Sequence, residues 1–392
     1  MEYLLSVRTI YLDCNATTPL DPSVKAAMLP ALEEVWGNPS SVHHLGQRAR
    51  SLLDDSRDRI ASVLGCRPSE LIFTSGATES ANLALFGAAR QLRDKGRHII
   101  TSAIEHHAVL NPCKFLAENE GFELSVLPVD SVGRVSVDSV REALRPDTIL
   151  VSIMAVNNEI GTIQPVAEIG SLCQENGVLF HSDAVQWFGK LPFSSIADFN
   201  ANLISLCPHK FYGPKGVGLL FCKSPFSPSP IILGGSHENE LRGGTENLPA
   251  IVGLAEAVSL FVSSPVFPSS LSSLSVRLIS ALDSLEGAVF LGDRLASGRL
   301  SNTVSFSLFS SDSIALLGNL DLEGFCASSG SACSSGSVSP SHVALALGAS
   351  VSQANAFVRF SLGRESSASE IDLLIDFLPS ALTRSFSLNN HA

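Results

Sequence analysis

The chain has 392 residues, enough for two domains or one large domain with an appendage. Its net charge of -12 argues against a general nucleic-acid binder, which is usually basic. No apolar run approaches the roughly 20 residues that span a bilayer, and residues 1–12 are too short for a signal or transit peptide before the first motif. The eight cysteines are scattered, with no CxxC pair. That spacing argues against a zinc knuckle, any other metal centre of that kind, or a disulfide framework. Free thiols in a reducing cytoplasm are therefore expected.

From residue 70 to 222, short apolar runs alternate with helix-like segments. Strands are predicted at 71–74, 98–101, 124–127, 149–154, 178–181, 203–206 and 217–222. Most are nearly unbroken apolar runs, as expected of strands covered on both faces. Helices are predicted between them, at 77–93 and 165–176 among others. The pattern predicts an α/β domain with a mostly parallel central sheet flanked by helices. Polar residues cluster just after the strands, where such sheets bind ligands.

After residue 260 the texture changes. Residues 263–275 are rich in serine and proline and read as a linker or a helix entry. A helix at 276–285, strands near Val289 and at 303–308, a late strand at 357–362 and a final helix at 368–382 follow. These make a smaller α+β domain. Residues 328–341 are a low-complexity Gly/Ser segment, the composition of a flexible linker. The expected division is a large domain at 17–262 and a small one at 263–392, joined by an N-terminal segment at 1–16.

Several segments carry chemistry. Cys207-Pro208-His209-Lys210 follows a buried strand and precedes a Gly/Pro turn. A lysine there can reach the ligand crevice and form a Schiff base with an aldehyde cofactor; a surface turn lysine is the plain alternative. Asp183, at the end of the 178–181 run, can pair with a protonated pyridine nitrogen or simply cap a helix. Gln186 lies one helical turn later. The run Thr74-Ser75-Gly76-Ala77-Thr78-Glu79-Ser80 joins strand to helix and can hold a phosphate on backbone N–H groups and the Thr78 hydroxyl. His106 can stack on a planar ring, and Asn158 can bond a ring hydroxyl. Arg359, on a strand-like run, can grip a carboxylate bidentately or close a salt bridge. Cys333, in Ser331-Ala332-Cys333-Ser334, has no hydrophobic environment to pack in. A thiol on such a polar loop can act as a nucleophile, whereas Cys66 and Cys173 sit among apolar residues and read as packing.

Taken in order, these segments resemble the cysteine desulfurases of group I, among the fold-type I pyridoxal 5′-phosphate (PLP) enzymes related to class V aminotransferases. The resemblance spans nearly the whole chain. It includes Asp13-Cys14-Asn15-Ala16-Thr17-Thr18-Pro19, Gly37-Asn38-Pro39-Ser40-Ser41, the segment 75–80 and Asn157-Asn158-Glu159-Ile160-Gly161. It continues through His209-Lys210-Phe211-Tyr212-Gly213, Arg242-Gly243-Gly244-Thr245, the loop around Cys333, and Arg359-Phe360-Ser361-Leu362-Gly363.

The resemblance implies that Lys210 bonds to PLP and that Cys333 carries the sulfur taken from L-cysteine. It implies that His106 stacks on the ring and assists proton transfer, and that Asp183 binds the pyridine nitrogen. Asn158 and Gln186 would bind the ring oxygen. Ala77, Thr78, Cys207 and His209 would hold the phosphate. Arg359, helped by Asn15, would bind the substrate carboxylate. Thr245 would reach the phosphate of a neighbouring subunit, which implies a homodimer. The sulfur acceptor would be a partner protein, an iron–sulfur scaffold or a tRNA-thiolation protein. A selenocysteine lyase or another PLP β-lyase is the alternative within enzymes, and a non-catalytic adaptor the alternative outside them.

Three departures stand out. Cys207 takes the place of a serine whose hydroxyl contacts the phosphate, and Pro208 removes a backbone N–H beside it. Asn239 stands where an arginine is common. The sequence ends soon after its last helix, so the longer tail with which some relatives dock a scaffold is expected to be absent.

Overall fold

The computed structural model describes residues 9–262, 264–265, 269–308, 312–330 and 340–389, and Cys333 lies outside them. The chain enters through β1 (Ile10–Tyr11) and helices α1 (Pro22–Glu33) and α2 (His44–Leu64). Asp21 caps α1 by accepting from Ser23 N–H, with Pro22 at the first helical position. Strands and helices then alternate: β2 (Leu71–Thr74), α3 (Ala77–Leu92), β3 (His98–Ser102), α4 (His107–Asn119), β4 (Glu123–Leu127), α5 (Val137–Ala143), β5 (Thr148–Ser152), α6 (Val166–Glu175), β6 (Leu179–Asp183), β7 (Leu203–Leu206), β8 (Gly218–Cys222) and α7 (Leu248–Phe261). The rest comprises α8 (Ser269–Asp283), β9 (Ala288–Phe290), β10 (Thr303–Leu308), α9 (Ser313–Leu322), β11 (Phe325–Cys326), α10 (His342–Ala346), α11 (Val351–Asn355), β12 (Phe357–Ser361) and α12 (Ala368–Asn389).

Among the described residues, seven strands form one sheet in the order β2-β8-β7-β6-β5-β3-β4. Its pairings are parallel except for those of β8, which runs against both β2 and β7. Alternate side chains leave opposite faces of a strand, and the core divides accordingly. Leu71, Phe73, Ile100, Val151 and Ile204 join one apolar cluster, while Ile72, Ile99, Leu150 and Leu203 join another. Covering both faces explains why these strands read as continuous apolar runs. The edge strand β4 is the exception, with Glu123 and Val126 exposed.

A second, antiparallel sheet in the order β12-β10-β9 has its own core, into which Ile10 and Leu12 pack beside Val304, Phe306 and Phe360. β1 pairs with β11, so the N-terminal strand is stitched to this second unit.

Two helices outrun their predicted limits. α8 begins at Ser269, inside the stretch read as a linker or helix entry. Leu271, Leu274, Leu278 and Leu282 share an apolar face, and the Ser275 hydroxyl is satisfied by the carbonyls of Leu271 and, outside the helix, Ser301. α12 continues past Leu382 to Asn389 and through Pro379. Ile371, Leu374, Leu378 and Ala381 keep its buried stripe, and packing outweighs the proline's lost N–H bond.

Candidate active site

The carboxyl ends of the sheet strands converge on one cavity of about 600 Å³. β2 delivers Gly76, Ala77 and Thr78 at the start of α3, and the turn after β3 delivers His106. The segments after β5, β6 and β7 supply Asn158, then Asp183 with Gln186, then Cys207, His209 and Lys210. The N-terminal segment contributes Asn15 to Thr17, and the second unit contributes Gly330 and Arg359. The ligand crevice of an open parallel sheet lies at this end. Two candidate residues are not among the described residues of this wall. Thr245 is exposed on a separate segment, and Cys333 lies beyond the described residues, three positions after the wall residue Gly330.

Lys210 follows β7 on a single 3-10 turn begun by Pro208. Its Nζ donates to the carbonyls of Asn15 and Ala16, both at 2.8 Å. The N-terminal segment thus positions the lysine although it lies far away in sequence. Asp183 ends β6, and one carboxylate oxygen accepts from Val185 N–H at 3.0 Å. Burial pushes its pKa up to about 6, against the pull of that bond and of Lys210. The local turn bond and a role at the cavity therefore coexist in one side chain.

His106 is the N-cap of α4, its Nδ1 accepting from Ala108 N–H at 3.0 Å. Burial first, then Lys210 and His107, push its pKa down to about 4. The ring is neutral at pH 7, and the cap assigns its proton to Nε2. His209 is also lowered to about 4, by burial and then by Lys210, Lys215 and Lys190.

Cys207 is buried where α3 begins. Burial pushes its thiol up to about 12, against a smaller downward pull from Lys210 and the backbone of Ala77. The side chain is thus a neutral thiol at the N-terminus of a 16-residue helix, a place that favours an anion.

Arg359 is gripped by its neighbours. One nitrogen donates to the Asn158 carbonyl at 2.9 Å and another to Asp13 Oδ1 at 2.7 Å, while its buried Nε has no partner among the described residues. Asn15 is engaged on all sides. Its Nδ2 donates to Asn158 O and Thr303 Oγ1, and its Oδ1 accepts from Lys190 and Asn302. A ligand reaching the Asn15 side chain would replace one of these bonds. Gln186 donates to the Asn15 carbonyl at 2.9 Å and accepts from Lys190.

Three residues of this site were not foreseen from the sequence. Lys190 is only 4% exposed and bridges Asn15 and Gln186. Burial and then Lys210 push its pKa well below that of an ordinary lysine. Its place in Trp187-Phe188-Gly189-Lys190 hints at burial, but a single lysine after aromatics is a weak signal. Glu105, behind His106, accepts from Ser102 Oγ and Met154 N–H, and burial raises it to about 8. Glu159, next to Asn158, is fully buried and raised to about 7. Nothing in a sequence marks a carboxylate as buried when its partners are distant.

The wall fits a planar aldehyde that carries a phosphate and a ring nitrogen. It brings together the Lys210 amine, the buried Asp183 carboxylate with one local donor, and a helix N-terminus with His209. The close approach is built into the backbone: a methyl on Gly218 would sit 2.4 Å from the Gly76 carbonyl carbon, so β8 and the α3 turn touch directly.

Comparison with known proteins agrees. Residues 10–374 match the class V aminotransferase family. A cysteine desulfurase IscS of Dictyoglomus turgidum is 44% identical over 95% of this chain and 94% of its own length. One from Methanosarcina thermophila is 43% identical over 95% and 91%. Among solved structures, a NifS-like protein superposes with a TM-score of 0.88 at 36% identity, covering 96% of this chain and all of the other. A structure of SspA in complex with cysteine gives 0.79 at 37% identity, covering 92% of this chain and 100% of its own. The chain belongs to the class V aminotransferase family and, within it, to the cysteine desulfurases.

Proposed function

We propose that this cysteine desulfurase uses PLP bonded to Lys210 to take sulfur from L-cysteine onto Cys333, leaving L-alanine. The observation that carries the reading is the meeting of Lys210, Asp183, His106 and Arg359 on one cavity whose wall also includes Gly330. Cys333 follows Gly330 by three positions in the sequence and lies outside the described residues. PLP would supply an electron sink for charge developing on the substrate carbons.

The protein's own groups do the rest. Arg359, a cavity wall residue, would bind the substrate carboxylate by exchanging one of its bonds to Asn158 or Asp13. Asp183 would hold a proton on the ring nitrogen, a cation that would offset the cost of burying its charge. Lys210 would carry a proton to and from the substrate α-carbon, and His106 would present its Nε2 proton to the cavity. The Cys333 thiolate would attack the substrate sulfur. An S–S bond forms, the carbon–sulfur bond breaks with its electron pair left on carbon, and protonation there gives the methyl group of alanine. Persulfide remains on Cys333 for an acceptor protein, an iron–sulfur scaffold or a tRNA-thiolation protein.

Apolar clusters drawn mostly from one side or the other support the division into a large domain, 17–262, and a small one, 263–392, tied to the N-terminal segment, while a further cluster of Ile104, Met154 and Ile160 with Leu291, Val343 and Phe357 joins the two. Exposed Thr245, away from the cavity of its own chain, suits a role in a partner's site within a homodimer. Borohydride reduction followed by peptide mapping tests the core of this reading. Reduced cofactor on Lys210 is expected, and cofactor on Lys190 or Lys215 would overturn it.

A further inference from the structure

Asp13 does not line the cavity, yet it holds a residue that does. Its carboxylate accepts from Arg359 Nη2 at 2.7 Å, and Arg359 and Asn158 both stand on the wall. The backbone sets up this contact. Ser361 N–H donates to the Leu12 carbonyl at 2.7 Å, and Cys14 N–H donates to the Ser361 carbonyl at 3.0 Å. Asp13 therefore runs parallel to β12 and is matched with Ser361. Side chains alternate along a strand, so Arg359, two residues before Ser361, shares a face with Asp13. The Tyr11 hydroxyl donates toward the carbonyls of Asp13 and Thr17, at 3.1 and 2.9 Å, and pins the turn that follows.

The two bonds of the guanidinium differ in kind. The bond to Asp13 is charge-assisted, and such bonds are roughly twice as strong as neutral ones. Arg359 is only 3% exposed, and taking its charged partner from so buried a cation is costly. The bond to the Asn158 carbonyl goes to a neutral acceptor on the wall. That carbonyl also accepts from Asn15 Nδ2 at 3.2 Å, so it keeps a donor when Arg359 turns to a ligand. The bond on the cavity side is the cheaper one to exchange.

We infer that Asp13 is a positioning residue that keeps its bond to Arg359 when substrate binds, aims the guanidinium at the substrate carboxylate, and so makes the site select amino acids over amines that lack a carboxylate. The inference rests on the reading of Arg359 as the carboxylate binder. The bond given up is then the one to Asn158. If Asp13 gave way instead, it would compete with the substrate, and disturbing it would tighten binding.

The test uses the full-length, PLP-loaded protein. It reads equilibrium binding of L-alanine, and of ethylamine as the same molecule without its carboxylate, from the cofactor's visible absorbance. Asp13→Glu keeps the charge and moves it by one methylene, whereas Asp13→Asn keeps an acceptor in place and loses the charge. Neither leaves the buried guanidinium without an acceptor, so both variants should fold. Asp13→Glu should weaken L-alanine binding about tenfold, within the range of coupling inside one hydrogen-bond network. KM for L-cysteine should rise in step, kcat should stay within about threefold, and ethylamine binding should not move. Asp13→Asn should bind L-alanine within about threefold of the unmutated chain. In an Arg359→Met background the effect of Asp13→Glu should vanish. Unchanged or tighter L-alanine binding in Asp13→Glu would overturn the inference. So would an equal loss for ethylamine, which would mean a general disturbance of the cavity, or a loss in Asp13→Asn as large as in Asp13→Glu, which would assign the effect to charge. Normal L-alanine binding by Arg359→Met alone would remove the Arg359 reading itself. Weakened binding there with none in Asp13→Glu would sink only the role of Asp13.

Discussion

Replacing Cys207 by serine isolates a single bond at the phosphate end of the cavity. The sulfur is buried and neutral, on the cavity wall beside Ala77 at the head of α3. A serine hydroxyl could donate its O–H to a phosphate oxygen, where a thiol donates poorly. A neutral hydrogen bond is worth about 0.5–1.5 kcal/mol net, so PLP should bind roughly two- to tenfold more tightly to Cys207→Ser. The ligand-free protein should respond in the opposite sense. Without phosphate the buried hydroxyl lacks an acceptor, which costs about 1–3 kcal/mol. Titration of the cofactor's visible absorbance, with thermal unfolding of the PLP-free and PLP-loaded forms, measures both effects. Tighter PLP binding and a wider gap between the two melting temperatures are expected. Unchanged or weaker PLP affinity would refute the placement of this side chain at the phosphate.

Three further outcomes follow from the site. Lys190→Met removes both bonds by which the buried amine holds Asn15 and Gln186; PLP affinity should fall by about tenfold or more, read by the same titration, and unchanged affinity would make Lys190 a packing residue. Burial pushes His181, bonded to Ser152 and Ser205 at 2.8 and 2.9 Å, down to about 3. The unfolded chain therefore takes up the proton first, and stability should fall by a few kcal/mol as pH drops from about 6.5 toward 3; urea unfolding across that range should show a flatter dependence in His181→Gln. A homodimer with composite sites predicts that Thr245→Val weakens PLP binding about two- to tenfold and that sedimentation finds a dimer at micromolar concentration; an active monomer would contradict it.

Much of the sheet was legible because burial on both faces writes itself as unbroken apolar runs. The limits of β2, β7 and β10 coincide with their predicted bounds. The reversal of β8 was not legible, since a strand buried on both faces reads the same in either direction. The two-residue strands β1 and β11 are set by tertiary pairing and leave no local pattern. In the site, motif order brought eleven candidates to one wall. What it missed, Lys190, Glu105 and Glu159, are ionisable side chains buried by contacts distant in sequence, and composition treats such residues as surface. The structure also gave Asn15 and Arg359 more local bonds than a free substrate clamp would have.

The central claim is that sulfur leaves L-cysteine for Cys333, and peptide mass spectrometry after a short exposure of the PLP-loaded protein to L-cysteine tests it most directly. Trapped with an alkylating agent, the extra sulfur should lie on the peptide that contains Cys333. The Cys333→Ala protein should bind PLP and L-cysteine yet form almost no alanine, since the chemistry at the α-carbon needs Lys210 and Asp183 but not the thiol. Sulfur on Cys326 or Cys207, or alanine made at the normal rate by Cys333→Ala, would contradict the account.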